Sequence, residues 1–134
     1  MQSERNKIIE LYLVMLGGGI GGSLRFTLGL MPVVGHWPIT TVGINLTGAF
    51  LLAFLGTFLP YTSQRTILLK SFLGTGVIGG FTTFSTMMLE FYEIQLCRPM
   101  NAFPYLMVTI IGGILVVKCG HNLGRYLYRN RYAK

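Results

Sequence analysis

Aspartate is absent from the 134 residues, and the acidic complement is four glutamates. Charged side chains of both signs make up 11% of the chain, against roughly 25% in a soluble domain. A surface so poor in charge is not built for water. No aspartate pair, intramembrane Ser-His arrangement or metal cluster stands in the sequence to supply an enzyme site, and the chain is read as a non-enzyme. Cysteine is nearly as scarce. Cys97 and Cys119 have no metal-like spacing, and two cysteines make no disulfide scaffold. His36 and His121 lie far apart and suggest no shared site.

What is present is apolar residue, 51% of the chain. Charge is missing from Ile39 to Leu59, from Ser71 to Leu89 and from Pro99 to Val117. Each gap is close to the roughly 20 residues that cross a hydrocarbon core as a helix. The expectation is an all-α, four-transmembrane-helix protein forming a single integral membrane domain over residues 1–134. Its spans are placed at about 8–30, 39–59, 67–89 and 103–120. The apolar N-terminal region runs straight into more of the same character and is not read as a removable signal peptide. A turn-like stretch from Met31 to Pro38, a polar link from Pro60 to Thr66 and a longer link around Arg98 and Pro99 separate the spans. The tail from Gly124, mixing tyrosines with Arg125, Arg129, Arg131 and Lys134, reads as an interfacial anchor.

The net charge of +7 does not indicate nucleic acid, because the basic residues form no stripe and sit between apolar runs. They resemble the flanks that orient membrane helices. With four spans, Arg5, Lys7, Arg65, Lys70, Arg125, Arg129, Arg131 and Lys134 share the side of the termini, and Arg25 and Arg98 lie opposite. That bias places both termini in the cytoplasm of a multi-pass cell-membrane protein.

Eighteen glycines suit helices pressed together in lipid. Gly17 and Gly21, Gly18 and Gly22, Gly76 and Gly80, and Gly120 and Gly124 are each four apart, the small-xxx-small spacing of close helix packing. The run from Gly17 to Gly22 also fits a nucleotide-binding G-x-G-x-x-G, but no strand precedes it and no aspartate exists to hold a ribose.

Polar groups inside lipid are costly and point to function. Asn45 stands in the uncharged second span, one turn after Thr41, and needs a partner from a neighbouring helix or from something passing by. The run Gly79-Gly80-Phe81-Thr82-Thr83-Phe84-Ser85-Thr86-Met87 is a poor continuous helix, since glycines lower propensity and hydroxyls compete for backbone groups. It predicts a broken third helix, tolerated at mid-membrane only when buried in protein or lining a polar cavity.

Three segments together resemble the Fluc/CrcB fluoride channel family over nearly the whole chain. They are Gly18-Gly19-Ile20-Gly21-Gly22-Ser23-Leu24-Arg25-Phe26, Thr41-Val42-Gly43-Ile44-Asn45-Leu46-Thr47-Gly48-Ala49-Phe50, and Gly79-Gly80-Phe81-Thr82-Thr83-Phe84-Ser85-Thr86. The resemblance implies an antiparallel dimer that passes fluoride across the plasma membrane through two narrow pores and so lowers cytoplasmic fluoride. It implies a structural sodium ion at the dimer interface, held by the backbone carbonyls of Gly79 and Thr82. It also implies an anion pathway of Arg25, Asn45, Thr83, Phe84, Ser85, Met87, Tyr105 and Thr109. In that pathway Asn45 offers its amide, Phe84 a ring edge, which carries partial positive charge, and Arg25 concentrates anions at the mouth. Tyr105 and Thr109 resemble hydroxyl donors. Glu90 matches a family acidic position and reads equally as a solvated helix end.

The chain departs from the pattern in three ways. Met87 stands where a second pore phenylalanine is usual, Gly113 and Val117 stand where hydroxyls are expected, and the Lys/Arg bias is too one-sided for a homodimer of opposed subunits. Together these suggest a heterodimer with a related subunit of reverse bias. The alternatives are a non-conducting assembly subunit and a small multidrug antiporter. The second requires a carboxylate deep in the membrane, whereas Glu10 and Glu90 lie near span ends.

Overall fold

The computed structural model describes residues 2–30, 38–59 and 63–132. The expected turn at Met31–Trp37, the start of the polar link at Pro60–Thr62 and the last tail residue, Lys134, lie outside them. Among the described residues every regular element is helical. These are α1 (Gln2–Gly29), α2 (Ile39–Phe58), α3 (Gln64–Lys70), a π-helical segment (Ser71–Ile78), α4 (Gly79–Phe81), α5 (Phe84–Cys97) and α6 (Pro99–Tyr132). Four stretches are long and apolar enough to cross a membrane: Glu4–Gly29, Ile39–Phe58, Gln64–Cys97 and Pro99–Arg131.

The last two stretches are longer than the apolar windows that located them. Hydropathy marks the part of a helix in hydrocarbon, while the backbone ladder continues wherever its bonds can form. The 34 residues of α6 extend about 51 Å at a rise of about 1.5 Å per residue, well beyond a hydrocarbon core of about 30 Å. The expected longer link around Arg98 is a single residue, with φ −149° and ψ 70°, between α5 and α6. An edge-on contact of Phe91 with Phe103, ring centroids 6.0 Å apart, closes that hairpin.

Two seams hold the bundle together. Along the first, α1 lies on the π-helical segment and α4, with Gly21 against the Val77 carbonyl so closely that any side chain there would collide with backbone. Along the second, α6 lies on α2, and a Cβ at Gly120 would sit 2.5 Å from the Phe50 carbonyl oxygen. Phe50, Phe54 and Phe58 stack along α2 with centroid spacings of 6.4 and 5.3 Å. The Arg131 guanidinium lies 5.9 Å above the Phe58 ring, a cation–π contact that ties the end of α6 to the end of α2.

Between α4 and α5 the backbone is extended. Thr82 has φ −76° and ψ 158°, and Thr83 has φ −148° and ψ 122°. The π-helical turns immediately before it belong to a class found most often at functional sites.

Candidate functional site

The extended pair Thr82–Thr83 removes backbone groups from the helical ladder inside an apolar span, where each unsatisfied group is costly. Asn45 answers that need. Its Nδ2 donates to the Thr83 carbonyl at 2.9 Å, and its Oδ1 accepts from the Thr83 N–H at 2.8 Å. The side-chain amide thus pairs with Thr83 as a neighbouring strand would. This gives Asn45 the interhelical partner that its position demanded, and leaves its second Nδ2 hydrogen for another acceptor.

Local chemistry fixes the flanks. Thr83 Oγ1 caps α5, accepting from the Thr86 N–H at 3.2 Å and donating to Thr86 Oγ1 at 2.9 Å. Thr82 turns back, donating through both N–H and Oγ1 to the Ile78 carbonyl at 3.0 and 3.1 Å. In a continuous helix the Thr83 N–H would bond the Gly79 carbonyl; here it goes to Asn45 instead.

A cavity of 340 Å³ opens at this point, lined by Asn45, Gly79, Thr82, Thr83, Phe84 and Met87 together with Gly48 and Leu52. Phe84 is 71% exposed, while Met87 is buried at 7%. Ser85 is exposed and lines neither this cavity nor the next.

A second cavity, of 380 Å³, shares Thr83 with the first and is lined also by Arg25, Thr41, Thr86 and Glu90. Arg25 reaches across from α1, its Nε donating to the Gly80 carbonyl at 3.3 Å. Glu90 holds two hydroxyls: Thr41 donates to one carboxylate oxygen at 2.6 Å and Tyr105 to the other at 2.8 Å. Tyr105 is 1% exposed, so α6 delivers its hydroxyl into the interior. Thr109 is buried beside it and donates to the Tyr105 carbonyl at 2.9 Å, within its own helix.

The structure therefore brings Asn45, Thr83, Phe84, Met87, Gly79 and Thr82 around one cavity. It sets Arg25 at the adjoining one, with Tyr105 reaching Glu90 there, and leaves Ser85 aside. The sequence left Glu90 undecided between a site and a solvated end; in the structure it is half-buried and holds two hydroxyl donors. The available signal was Thr41, whose hydroxyl stands one helical turn before Asn45 on the same face of α2.

Among the described residues no three His, Cys, Asp or Glu side chains gather as a metal site. The oxygen-rich backbone at Gly79 and Thr82 is a different donor chemistry.

Residues 12–121 match the family model described as CrcB-like protein, Camphor Resistance (CrcB). The chain is 37% identical over 122 residues to fluoride-specific ion channel FluC 2 of Listeria innocua, covering 89% of this chain and 95% of that protein. It is 42% identical over 115 residues to FluC 1 of Ligilactobacillus salivarius, with 84% and 96% covered. It is 36% identical over 122 residues to FluC of Xylella fastidiosa, with 88% and 85% covered.

Proposed function

Because this chain belongs to the CrcB-like family and is a multi-pass membrane protein, we propose that it is a subunit of a fluoride-selective channel. It is no enzyme; its work is to let fluoride cross a membrane passively. The observation that carries the reading is the Asn45–Thr83 pairing at the wall of an intramembrane cavity. It stabilises extended backbone at mid-span and presents the remaining Asn45 N–H beside Phe84. An amide hydrogen and an aromatic edge are both weakly positive, and together they suit a small hard anion that has lost its water. Arg25, in the adjoining cavity, raises local anion concentration. The Thr41 and Tyr105 hydroxyls donate to Glu90, and they become available to an anion only when they release it.

The interruption at Thr82–Thr83 is read as a functional break that also serves assembly. The pore is completed by a second subunit inserted in the opposite sense, which receives the exposed Phe84. Support for a sodium ion at that interface comes from the donor chemistry. The Gly79 carbonyl loses its helical partner when Thr83 N–H turns to Asn45, and both Gly79 and Thr82 line the open cavity. Hard carbonyl oxygens freed at a helix break suit such a cation, which would supply fixed charge to hold two breaks together.

The Lys/Arg bias supports cytoplasmic termini and a partner of reverse bias. A subunit that inserts one way cannot supply its own opposed copy. Met87 in place of a ring supports a pair in which one pore is stronger than the other.

The test is to reconstitute the purified chain in liposomes loaded with potassium fluoride and follow efflux with a fluoride electrode after adding valinomycin. Rapid fluoride release with little chloride release supports the channel. Full activity of the lone chain would refute the heterodimer. Silence of the chain, alone and with an oppositely biased relative, would refute conduction.

A further inference from the structure

A third cavity, of 270 Å³, lies between α1, α2 and the start of the π-helical segment, with Lys70, Ser71, Thr75 and Glu10 on its wall. None of these residues takes part in the site above. Lys70 is buried at 9% within a span where an ionisable group is expensive and marks function by default. Its Nζ donates to the Gly56 carbonyl at 3.1 Å, near the end of α2, and the Ser71 hydroxyl donates to Glu10.

The position of this cavity gives it meaning. It shares Leu52 with the cavity at Asn45 and Phe84, which in turn shares Thr83 with the cavity at Arg25 and Glu90. The three follow one face of α2, from Pro38 and Thr41 through Asn45, Gly48 and Leu52 to Gly56, at spacings of three and four residues. From Pro38 to Gly56 the helix rises about 27 Å, close to the thickness of a hydrocarbon core, about 30 Å. The seam between α2 and the third span is thus a string of mainly apolar chambers, each with a few polar groups on its wall, with one cation at each end and Leu52 as a partition.

We propose that the Lys70 chamber is a second anion-holding site, at the mouth nearer the chain termini, where the Lys70 ammonium and the Thr75 hydroxyl receive fluoride before or after it passes Leu52, while the Ser71 hydroxyl stays on Glu10. This rests on the channel reading. Lys70 supplies the attraction and Glu10 tempers it, so that the ion enters without being trapped, as conduction requires.

A merely structural Lys70, bonding the end of α2, is separated by chemistry at one atom. Lys70→Cys is made in a Cys97→Ser/Cys119→Ser parent, two positions that line none of the three cavities. The protein is labelled in detergent with cationic aminoethyl, neutral methyl or anionic sulfonatoethyl methanethiosulfonate and then reconstituted for fluoride efflux, with the oppositely biased relative if the parent alone is silent. The expected result is a loss of at least about tenfold in flux, restored to within about threefold by the cationic label, unchanged by the neutral one and deepened by the anionic one. Parent-like flux in the unlabelled variant, or equal rescue by the methyl label, overturns the proposal. Should Lys70→Cys fail to assemble, Glu10→Gln decides. It keeps an acceptor for Ser71 and removes negative charge, so initial flux at low fluoride should rise about two- to fivefold, and an unchanged or lower flux overturns the site. A parent that conducts while both variants behave like it refutes this inference alone. A parent silent in every pairing refutes the channel reading, and this inference falls with it.

Discussion

Asn45→Asp keeps one of the two structural bonds of the Asn45 amide, that from the Thr83 N–H, and removes its donor face. Aspartate keeps the size of asparagine and keeps an acceptor for the Thr83 N–H, now at 2.8 Å. It replaces the Nδ2 donor, which both serves the Thr83 carbonyl at 2.9 Å and carries the second hydrogen offered to fluoride. A hydrogen bond to a charged group contributes about 1.5–3 kcal/mol, and about 1.4 kcal/mol is a factor of ten. Loss of that donor should therefore lower fluoride flux roughly 10- to 150-fold, and an ionised carboxylate would lower it further. Asn45→Ala is the companion variant. It removes both bonds to Thr83 and leaves two backbone groups of an extended segment unsatisfied, at about 1–3 kcal/mol each, so it should lose assembled protein on size exclusion. Asn45→Asp, which keeps the bond from the Thr83 N–H and when protonated can donate to the Thr83 carbonyl, should retain more assembled protein than Asn45→Ala and fail to conduct. An Asn45→Asp protein whose efflux stays within about twofold of the native rate would refute the role given to the amide.

Three further outcomes are expected. Met87→Phe restores a ring at the weakened pore, and in a conducting pair it should raise flux per dimer up to about twofold; because Met87 is buried at 7%, overpacking should cost about 1–3 kcal/mol in thermal stability, and an assembled variant with no gain in flux would count against the unequal-pore reading. Arg25→Gln should reduce flux most at low ionic strength. The deficit should narrow as the Debye length falls from about 30 Å at 0.01 M to about 8 Å at 0.15 M salt, and a salt-independent deficit would point to the Arg25–Gly80 bond as its sole contribution. Gly120→Val places a side chain 2.5 Å from the Phe50 carbonyl, so the α2–α6 seam should open and folded protein should be lost on size exclusion, whereas Gly113→Val, which meets nothing within 4 Å, should be tolerated.

The spans were legible because charge is excluded from hydrocarbon, and gaps in the charge pattern need no knowledge of packing. Their ends were less so: α5 runs eight residues past the expected Leu89, through Glu90 and Glu93 to Cys97, because a helix can leave the apolar layer without unwinding. Asn45 announced itself as a lone amide in an uncharged span, yet its partner, the backbone of a residue 38 positions away, leaves no mark in composition. Glu90 was undecidable for the same reason, since only the arrival of Thr41 from α2 and Tyr105 from α6 turns a helix-end carboxylate into a half-buried one that holds two hydroxyl donors. Lys70 was counted among orienting charges, and nothing in its local sequence shows that its ammonium folds inward to Gly56.

The proposed dimer has a physical argument in the single chain. A large aromatic side chain 71% exposed at mid-span stands beside an open cavity whose wall includes freed backbone at Gly79 and Thr82. Lipid could cover the ring of Phe84, but it offers no hydrogen bond and no charge to the backbone oxygens beside it. Water could satisfy those oxygens but would strand the ring. In the proposed dimer, a second subunit that presents its own ring and its own break would satisfy both at once, meeting this one across a two-fold axis in the membrane plane so that ring faces cavity in each direction. In the proposed reading opposed insertion follows from the site, while one-sided insertion follows from the basic flanks. The proposed heterodimer reconciles the two: a partner of similar fold and opposite charge bias would free this chain to carry Met87 where its own ring is dispensable.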